Sequence, residues 1–162
     1  MPTVLITGAN RGLGLEFTKQ YAADGWSVIS TCRNPLGVGE LAEVLGNVAV
    51  YGLDVLNPPS VERFVADLKG QPIDVLINNA GAYGPKPGKA NDVTIDDWTP
   101  AMQTNAMAPL FMARSLLENV KASERKMIVN ISSIMASIEQ GSGPSEYIYR
   151  SSKTALNMVM AC

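Results

Sequence analysis

A short apolar run, Val4-Leu5-Ile6, breaks into Thr7-Gly8-Ala9-Asn10-Arg11-Gly12-Leu13-Gly14, after which Leu13, Phe17, Tyr21 and Ala22 fall at helical spacing. A strand, a glycine-rich turn and a helix in that order constrain the fold more than any other stretch of this chain. Together they make an anion site, because turn N–H groups and the positive end of the helix dipole point at one spot. Glycine permits the unusual φ angles of such a turn and lets a pyrophosphate approach the backbone. The spacing is T-G-x-x-x-G-x-G, one residue wider between the first two glycines than the usual dinucleotide fingerprint. A tight strand-to-helix loop of no function has a similar composition, so the rest of the chain has to decide.

The rest alternates. Residues 26–32 read as a β-rich strand, 40–45 as a short helix closed by Gly46, and 48–53 as a third strand ending at Asp54. Residues 60–68 have helical periodicity with Ser60 as the expected N-cap, and 74–77 are a strand with no polar alternation, as expected when both faces are covered. A Gly/Pro-rich loop over 81–88 precedes Thr94-Ile95-Asp96-Asp97, a capping box with Asp for the usual Glu. The helix it opens has Pro100 near its first turn and Pro109 well inside, where it should kink or divide the helix. Residues 127–131 form the fifth strand, a polar loop spans 141–144, and the last helix starts near Glu146. The expected architecture is one α/β domain over 1–162: a doubly wound, Rossmann-like parallel sheet with helices on both faces. Ligands of such sheets bind beyond the carboxyl ends of the strands, and Thr7, Arg33, Asp54, Asn78 and Ser133 all fall at or just past those ends.

Composition narrows the chemistry. There is no histidine, so neither a Ser-His-Asp triad nor a histidine metal site is available, and no metal is expected. Acid–base work falls to carboxylates, Tyr, Lys or Cys. A net charge of −2 without a basic block argues against a nucleic-acid or anionic-membrane partner, and no run is long and apolar enough for a membrane span. Two cysteines, Cys32 and Cys162, and no recognisable export signal point to the cytoplasm. Tyr149 and Lys153 stand four residues apart and so share a helix face, and no other tyrosine has a lysine at that offset. A free phenol titrates near ~10, so acid–base use near neutrality requires a shift equivalent to about 4 kcal/mol. A nearby ammonium favours the phenolate and supplies part of that.

Five motifs in order, Thr7-Gly8…Gly12…Gly14, Asn78-Asn79-Ala80-Gly81, Asn105, Ser132-Ser133 and Tyr149…Lys153, resemble the short-chain dehydrogenase/reductase family over the whole chain. The segments at 31–34 and 149–153 look more narrowly like its C-factor and sniffer branch, which includes carbonyl reductases. The resemblance implies a catalytic set of Asn105, Ser133, Tyr149 and Lys153. Tyr149 would exchange a proton with a carbonyl or alcohol oxygen. Lys153 would favour its phenolate and bind the nicotinamide ribose, Ser133 would polarise the carbonyl, and Asn105 would hold a relay water. Residue chemistry does not separate Ser132 from Ser133; the family pattern favours the second. The cofactor set implied is Gly8, Asn10, Arg11, Gly12, Leu13, Gly14, Arg33, Asp54, Val55, Asn79, Ala80, Gly81, Tyr149 and Lys153, with Asn79 partly structural and Asp54 equally readable as a strand cap. The phenol of Tyr149 is expected to face the nicotinamide of a dinucleotide resting on the glycine turn.

Where NAD enzymes commonly carry a ribose-binding carboxylate, this chain has Cys32 followed by Arg33, with Arg11 in the turn. NADP is therefore expected over NAD. Two departures from the family pattern stand out. The stretch between Ser133 and Tyr149 is longer than usual, with the additional residues around 139–144 expected to shape the pocket mouth. The chain also stops before the family's last two strands and substrate loop, so it reads as truncated. The implied function is NADP-dependent carbonyl/alcohol oxidoreduction in a homo-oligomer, dimer or tetramer. The alternative is a non-catalytic dinucleotide-binding sensor or signalling protein of the C-factor type; a nucleotide-sugar epimerase fits the glycine spacing less well.

Overall fold

The computed structural model describes residues 1–85, 90–140 and 146–162. The loop expected at 141–144, most of the additional 139–144 stretch and the 86–88 end of the Gly/Pro-rich loop lie outside the described residues. Among the described residues there are five strands, β1 (Thr3–Thr7), β2 (Ser27–Cys32), β3 (Val48–Gly52), β4 (Val75–Asn78) and β5 (Met127–Asn130). The helices are α1 (Gly12–Ala23), α2 (Pro58–Asp67), α3 (Ile95–Met102), α4 (Ala108–Ser115), α5 (Leu117–Lys121) and α6 (Tyr147–Ala161). They divide between two compact units, Met1–Ala80 with Met112–Ile131, and Gly81–Phe111 with Ser132–Cys162.

The first unit contains the whole sheet. All its pairings are parallel and the strand order is β3-β2-β1-β4-β5, so the order reverses between β1 and β4. That reversal is the switch point at which such sheets bind ligands. The unbroken apolar run of β1 follows from coverage on both faces, since every one of its residues is buried. Leu5 joins Ile29, Leu76, Phe64, Met112 and Leu116 in one core cluster. Its neighbours Val4 and Ile6 join Val28, Val75, Ile77, Leu15 and Ala22 in another. Successive residues of a strand point to opposite faces, so two clusters from one strand mark the two sides of the sheet.

Local chemistry departs from the sequence pattern in four places. The face of α1 that packs inward contains Leu15, Thr18 and Ala22, while Leu13, expected on that face, is 59% exposed. Thr18 is tolerated there because its hydroxyl bonds the Gly14 carbonyl at 3.0 Å and the Ser30 hydroxyl of β2 at 2.9 Å. The helix expected at 40–45 is a 3₁₀ turn, Gly39–Glu43, with Leu41 as its buried residue. The cap of α2 is Asn57 rather than Ser60: Asn57 Oδ1 accepts from Ser60 N–H at 3.2 Å, and Pro58 takes the first helical position, where its missing N–H is harmless. Pro100 lies inside α3, in its second turn, later than expected.

The second unit packs α3, the turn that follows it and α6. Thr94 caps α3 as expected, its Oγ1 accepting from Asp97 N–H at 3.1 Å, but the Asp97 carboxylate accepts from the threonine hydroxyl instead of reaching back to the backbone. The helix is divided ahead of Pro109 by a π turn, Gln103–Met107, in which Ala108 N–H donates to the Gln103 carbonyl five residues back. Proline has no N–H to continue an α-helical ladder, and the wider turn absorbs that gap before α4 resumes. Trp98 Nε1 donates to Ser151 Oγ at 3.1 Å, and Ile148 and Leu156 bury the inner face of α6. Among the described residues no helix is long and apolar enough to cross a membrane.

Candidate active site

The residues expected at a site fall into two groups, one within each unit. In the first, the turn after β1 has two left-handed glycines, Gly8 at φ +66° and Gly12 at φ +55°. The end of β4 clasps this turn. Asn79 Nδ2 donates to the carbonyls of Thr7 at 2.9 Å and Gly8 at 3.0 Å, while Thr7 Oγ1 accepts from the N–H groups of Asn79 and Ala80, both at 3.0 Å. Gly14 lies at the tightest point: a Cβ there would fall 2.4 Å from both Asn79 Nδ2 and Gly8 O. At Gly12 the space is open, and a Cβ there would have nothing within 4 Å.

The N-terminus of α1 has no internal cap. Arg11, in extended conformation before the helix, makes no capping bond, and the first turn contains no acid. A twelve-residue helix therefore presents its unsatisfied N–H groups and dipole without an anion of its own. This donor set fits a pyrophosphate. Asn10, Arg11 and Leu13 are exposed around it. Arg33 is exposed just past β2, whereas Cys32 is buried and its thiol is pushed up by burial, against a smaller opposing effect of a backbone hydrogen bond at Asn34. Asp54 Oδ1 accepts from Leu56 N–H at 3.0 Å, closing the turn beyond β3, and Val55 packs partly against the core.

In the second unit Asn105 occupies the π turn and is 1% exposed. Its amide grips Ala82 on both sides, Nδ2 donating to the Ala82 carbonyl at 2.7 Å and Oδ1 accepting from the Ala82 N–H at 2.8 Å. The same Nδ2 donates to Ser152 Oγ at 2.8 Å, and Ser152 Oγ donates to the Tyr149 carbonyl, also at 2.8 Å. The asparagine thus ties the loop at 82 to the first turn of α6. Lys153 is 4% exposed, and its Nζ lies 5.8 Å from the centroid of the Tyr149 ring. Burial lowers the proton affinity of this amine below the ordinary lysine value.

The two serines at the end of β5 separate by their bonds. Ser132 Oγ donates to Asn157 Oδ1 at 2.6 Å, committing its proton to α6. Ser133 Oγ accepts from Met135 N–H at 3.2 Å, capping the 3₁₀ turn Ile134–Ala136, so among the described residues its own O–H is left as a donor. Thr154 Oγ1 donates to the Ala136 carbonyl at 2.8 Å and holds that turn to α6. Gly81 is exposed at the start of the unit.

The family model described as short chain dehydrogenase matches residues 2–162. The chain belongs to the short-chain dehydrogenase family. Curated members similar to it include the NADP-dependent 3-hydroxy acid dehydrogenase YdfG of Salmonella typhi, 36% identical over 138 residues that span 83% of this chain and 55% of that protein. The chloroplastic protochlorophyllide reductase of Pisum sativum is 36% identical over 140 residues, 81% of this chain and 35% of that one. The chain spans about half the length of the 3-hydroxy acid dehydrogenases it matches. Among solved structures, a carbonyl reductase from Pseudomonas aeruginosa PAO1 in complex with NADP superposes with a TM-score of 0.87 at 30% identity, covering 99% of this chain and 74% of that one.

Two residues of the second-unit cluster, Ser152 and Tyr83, are not among the site residues expected from the sequence. Ser152 links Asn105 to Tyr149, and its one signal is a small polar residue on the same helix one position before Lys153. Tyr83 stacks on Tyr149, with ring centroids 4.4 Å apart and planes 14° from parallel. Its hydroxyl donates to Glu146 Oε2, and this bond, followed by desolvation and the charges of Glu146 and Tyr149, pushes the Tyr83 phenol up to about 12. A loop tyrosine has no periodic pattern, so nothing in the sequence points to that stack.

Proposed function

We propose that this short-chain dehydrogenase is an NADP-dependent carbonyl reductase that exchanges a hydride and a proton with a ketone or aldehyde, or with the corresponding alcohol. The observation that carries the reading is the Tyr149–Lys153 pair on one face of α6, the lysine buried and the helix turn beneath the tyrosine anchored through Ser152 to Asn105. When bound, NADPH supplies the hydride. The Gly8–Gly14 turn and the uncapped start of α1 hold its pyrophosphate, with Asn79 and Thr7 fixing the shape of the turn. Arg33 and Arg11 take the 2′-phosphate, and the neutral Cys32 thiol puts no negative charge where a carboxylate would repel it. The names of similar proteins, an NADP-dependent dehydrogenase and an NADP-bound carbonyl reductase, support the same cofactor.

Tyr149 gives its phenolic proton to the carbonyl oxygen, and Ser133 donates its remaining O–H to that oxygen as negative charge develops. Lys153, kept close and desolvated, stabilises the phenolate left behind. Asn105 holds the architecture through Ala82 and Ser152; the relay water is a role that only the family resemblance gives it. We read the protein as a cytoplasmic homo-oligomer, from the family resemblance and from two cysteines that form no disulfide. The test is NADPH oxidation over a panel of aldehydes, ketones and oxo acids, with Tyr149→Phe as control. The variant should lose roughly 10²–10⁴-fold in turnover while retaining cofactor binding. Cofactor binding without turnover of any carbonyl would replace this reading with that of a dinucleotide-binding sensor.

A further inference from the structure

We propose that Tyr83 is the positioning residue for the acid–base phenol: its ring is a fixed plate that holds the Tyr149 ring in one orientation. The inference rests on the role given to Tyr149 above. Four observations within the second unit support it. The two rings are stacked, 4.4 Å apart and 14° from parallel, so rotation of Tyr149 about its side-chain bonds meets the face of Tyr83. The backbone under Tyr83 is immobilised by its neighbour, since both polar groups of Ala82 are bonded to the buried Asn105 amide. On the other side of Tyr83, Gly84 at φ +76° passes so close to α6 that a Cβ there would lie 2.9 Å from Ile148 Cγ2. The far end of the Tyr83 ring is tethered as well, its hydroxyl donating to the carboxylate of Glu146, which stands at the N-cap position of α6 just before Tyr149.

Tyr83 is thus held at its backbone and at its tip, and it presents its ring face to Tyr149. The hydroxyl bond to Glu146 also keeps the Tyr83 phenol protonated far above neutrality, so the second tyrosine does not compete with Tyr149 for protons. A reacting group displaced by about 1 Å costs up to ~10²-fold in rate, which is the scale on which a lost plate should register.

The experiment compares Tyr83→Ala with Tyr83→Phe. Tyr83→Ala should lower kcat about 10- to 100-fold and leave the KM for NADPH within about twofold. Tyr83→Phe, which keeps the stacked ring and gives up only the tether, should stay within about threefold of the parent. A purely structural role would lower both variants through the amount of folded protein and would not split kcat from KM. If Tyr83→Ala does not fold, Tyr83→Leu, which fills the volume without a ring face, takes its place. Equal kcat for the parent and the ringless variant, or equal damage from Phe and Ala, would overturn the proposal. The second readout needs no substrate: in protein with labelled tyrosines, the ring resonances of Tyr149 should show an upfield ring-current shift that Tyr83→Phe preserves and Tyr83→Ala abolishes. If the parent turns over no carbonyl, the proposed activity fails. The plate then stands or falls on these resonances, and no change on removing the ring would refute it.

Discussion

Replacing Gly14 by alanine tests how the anion turn is built. The new methyl would lie 2.4 Å from the Gly8 carbonyl oxygen, 2.4 Å from Asn79 Nδ2 and 3.0 Å from Ala9 Cα. Neither of the two nearest atoms can step aside cheaply. One is backbone, and the other is held by hydrogen bonds to the Thr7 and Gly8 carbonyls. Overpacking a tight interior costs roughly 1–3 kcal/mol. A displaced Asn79 amide gives up two hydrogen bonds at about 1 kcal/mol each. Against these, alanine gains about 1 kcal/mol of helix propensity over glycine. The balance is a loss of about 2–4 kcal/mol. Gly12→Ala is the internal control, since its Cβ meets nothing and only the left-handed φ is penalised, at about 1–2 kcal/mol. Urea unfolding measures both, read from midpoints at constant slope. Titration with NADPH should show Gly14→Ala binding at least about tenfold more weakly, since distortion reaches the turn N–H groups. Gly14→Ala as stable as the parent, or less damaging than Gly12→Ala, would refute the reasoning.

Three further outcomes follow from single side chains. Phe64 is 1% exposed in the core and meets Tyr51 edge to face at 5.5 Å, so Phe64→Ala should destabilise by about 3–5 kcal/mol in urea melts, and a loss under ~1 kcal/mol would mean the site is not packed. Arg33→Ala removes charge-assisted bonds worth ~1.5–3 kcal/mol and should weaken NADPH about 10- to 100-fold while leaving NADH nearly unchanged; equal losses for the two would sink the 2′-phosphate assignment. Folding lowers the proton affinity of Lys153, so the unfolded chain binds more protons between the folded value and 10.5, and stability attributable to this residue rises with pH across that window. Lys153→Met should therefore abolish turnover, and its stability relative to the parent should fall as pH rises towards 10.5; a pH-independent difference would contradict the burial argument.

Much of the sheet was legible because it is specified by contiguous residues. The apolar run at 4–6, the β-rich stretch at 26–32 and the unalternating run at 74–77 each read as a strand, and the structure places β1, β2 and β4 there. The Tyr149–Lys153 face was legible for the same reason, since helical spacing alone puts the two side by side. What escaped depends on partners distant in sequence. Ser60 has the composition of a cap, yet its hydroxyl accepts from Asp54 N–H while Asn57 caps α2, and two good cap residues three positions apart cannot be ranked without the fold. Leu13 follows the apolar spacing of α1 but lies in the turn's exposed rim, where tertiary context overrides the period. The division ahead of Pro109 was expected, but its form as a π turn was not, because proline forbids a bond without dictating what replaces it. The Tyr83–Tyr149 stack joins a loop to a helix 66 residues apart in the chain and left no local trace.

The most direct measurement follows one isotope. Reduction of a ketone with NADPH bearing deuterium at the transferable position should place a single deuterium on the carbinol carbon of the product, with the hydroxyl proton coming from solvent through Tyr149. Tyr149→Phe should bind the cofactor and yield almost no labelled alcohol. Labelled product formed equally well by Tyr149→Phe, or alcohol whose carbinol carbon carries no deuterium, would contradict the account.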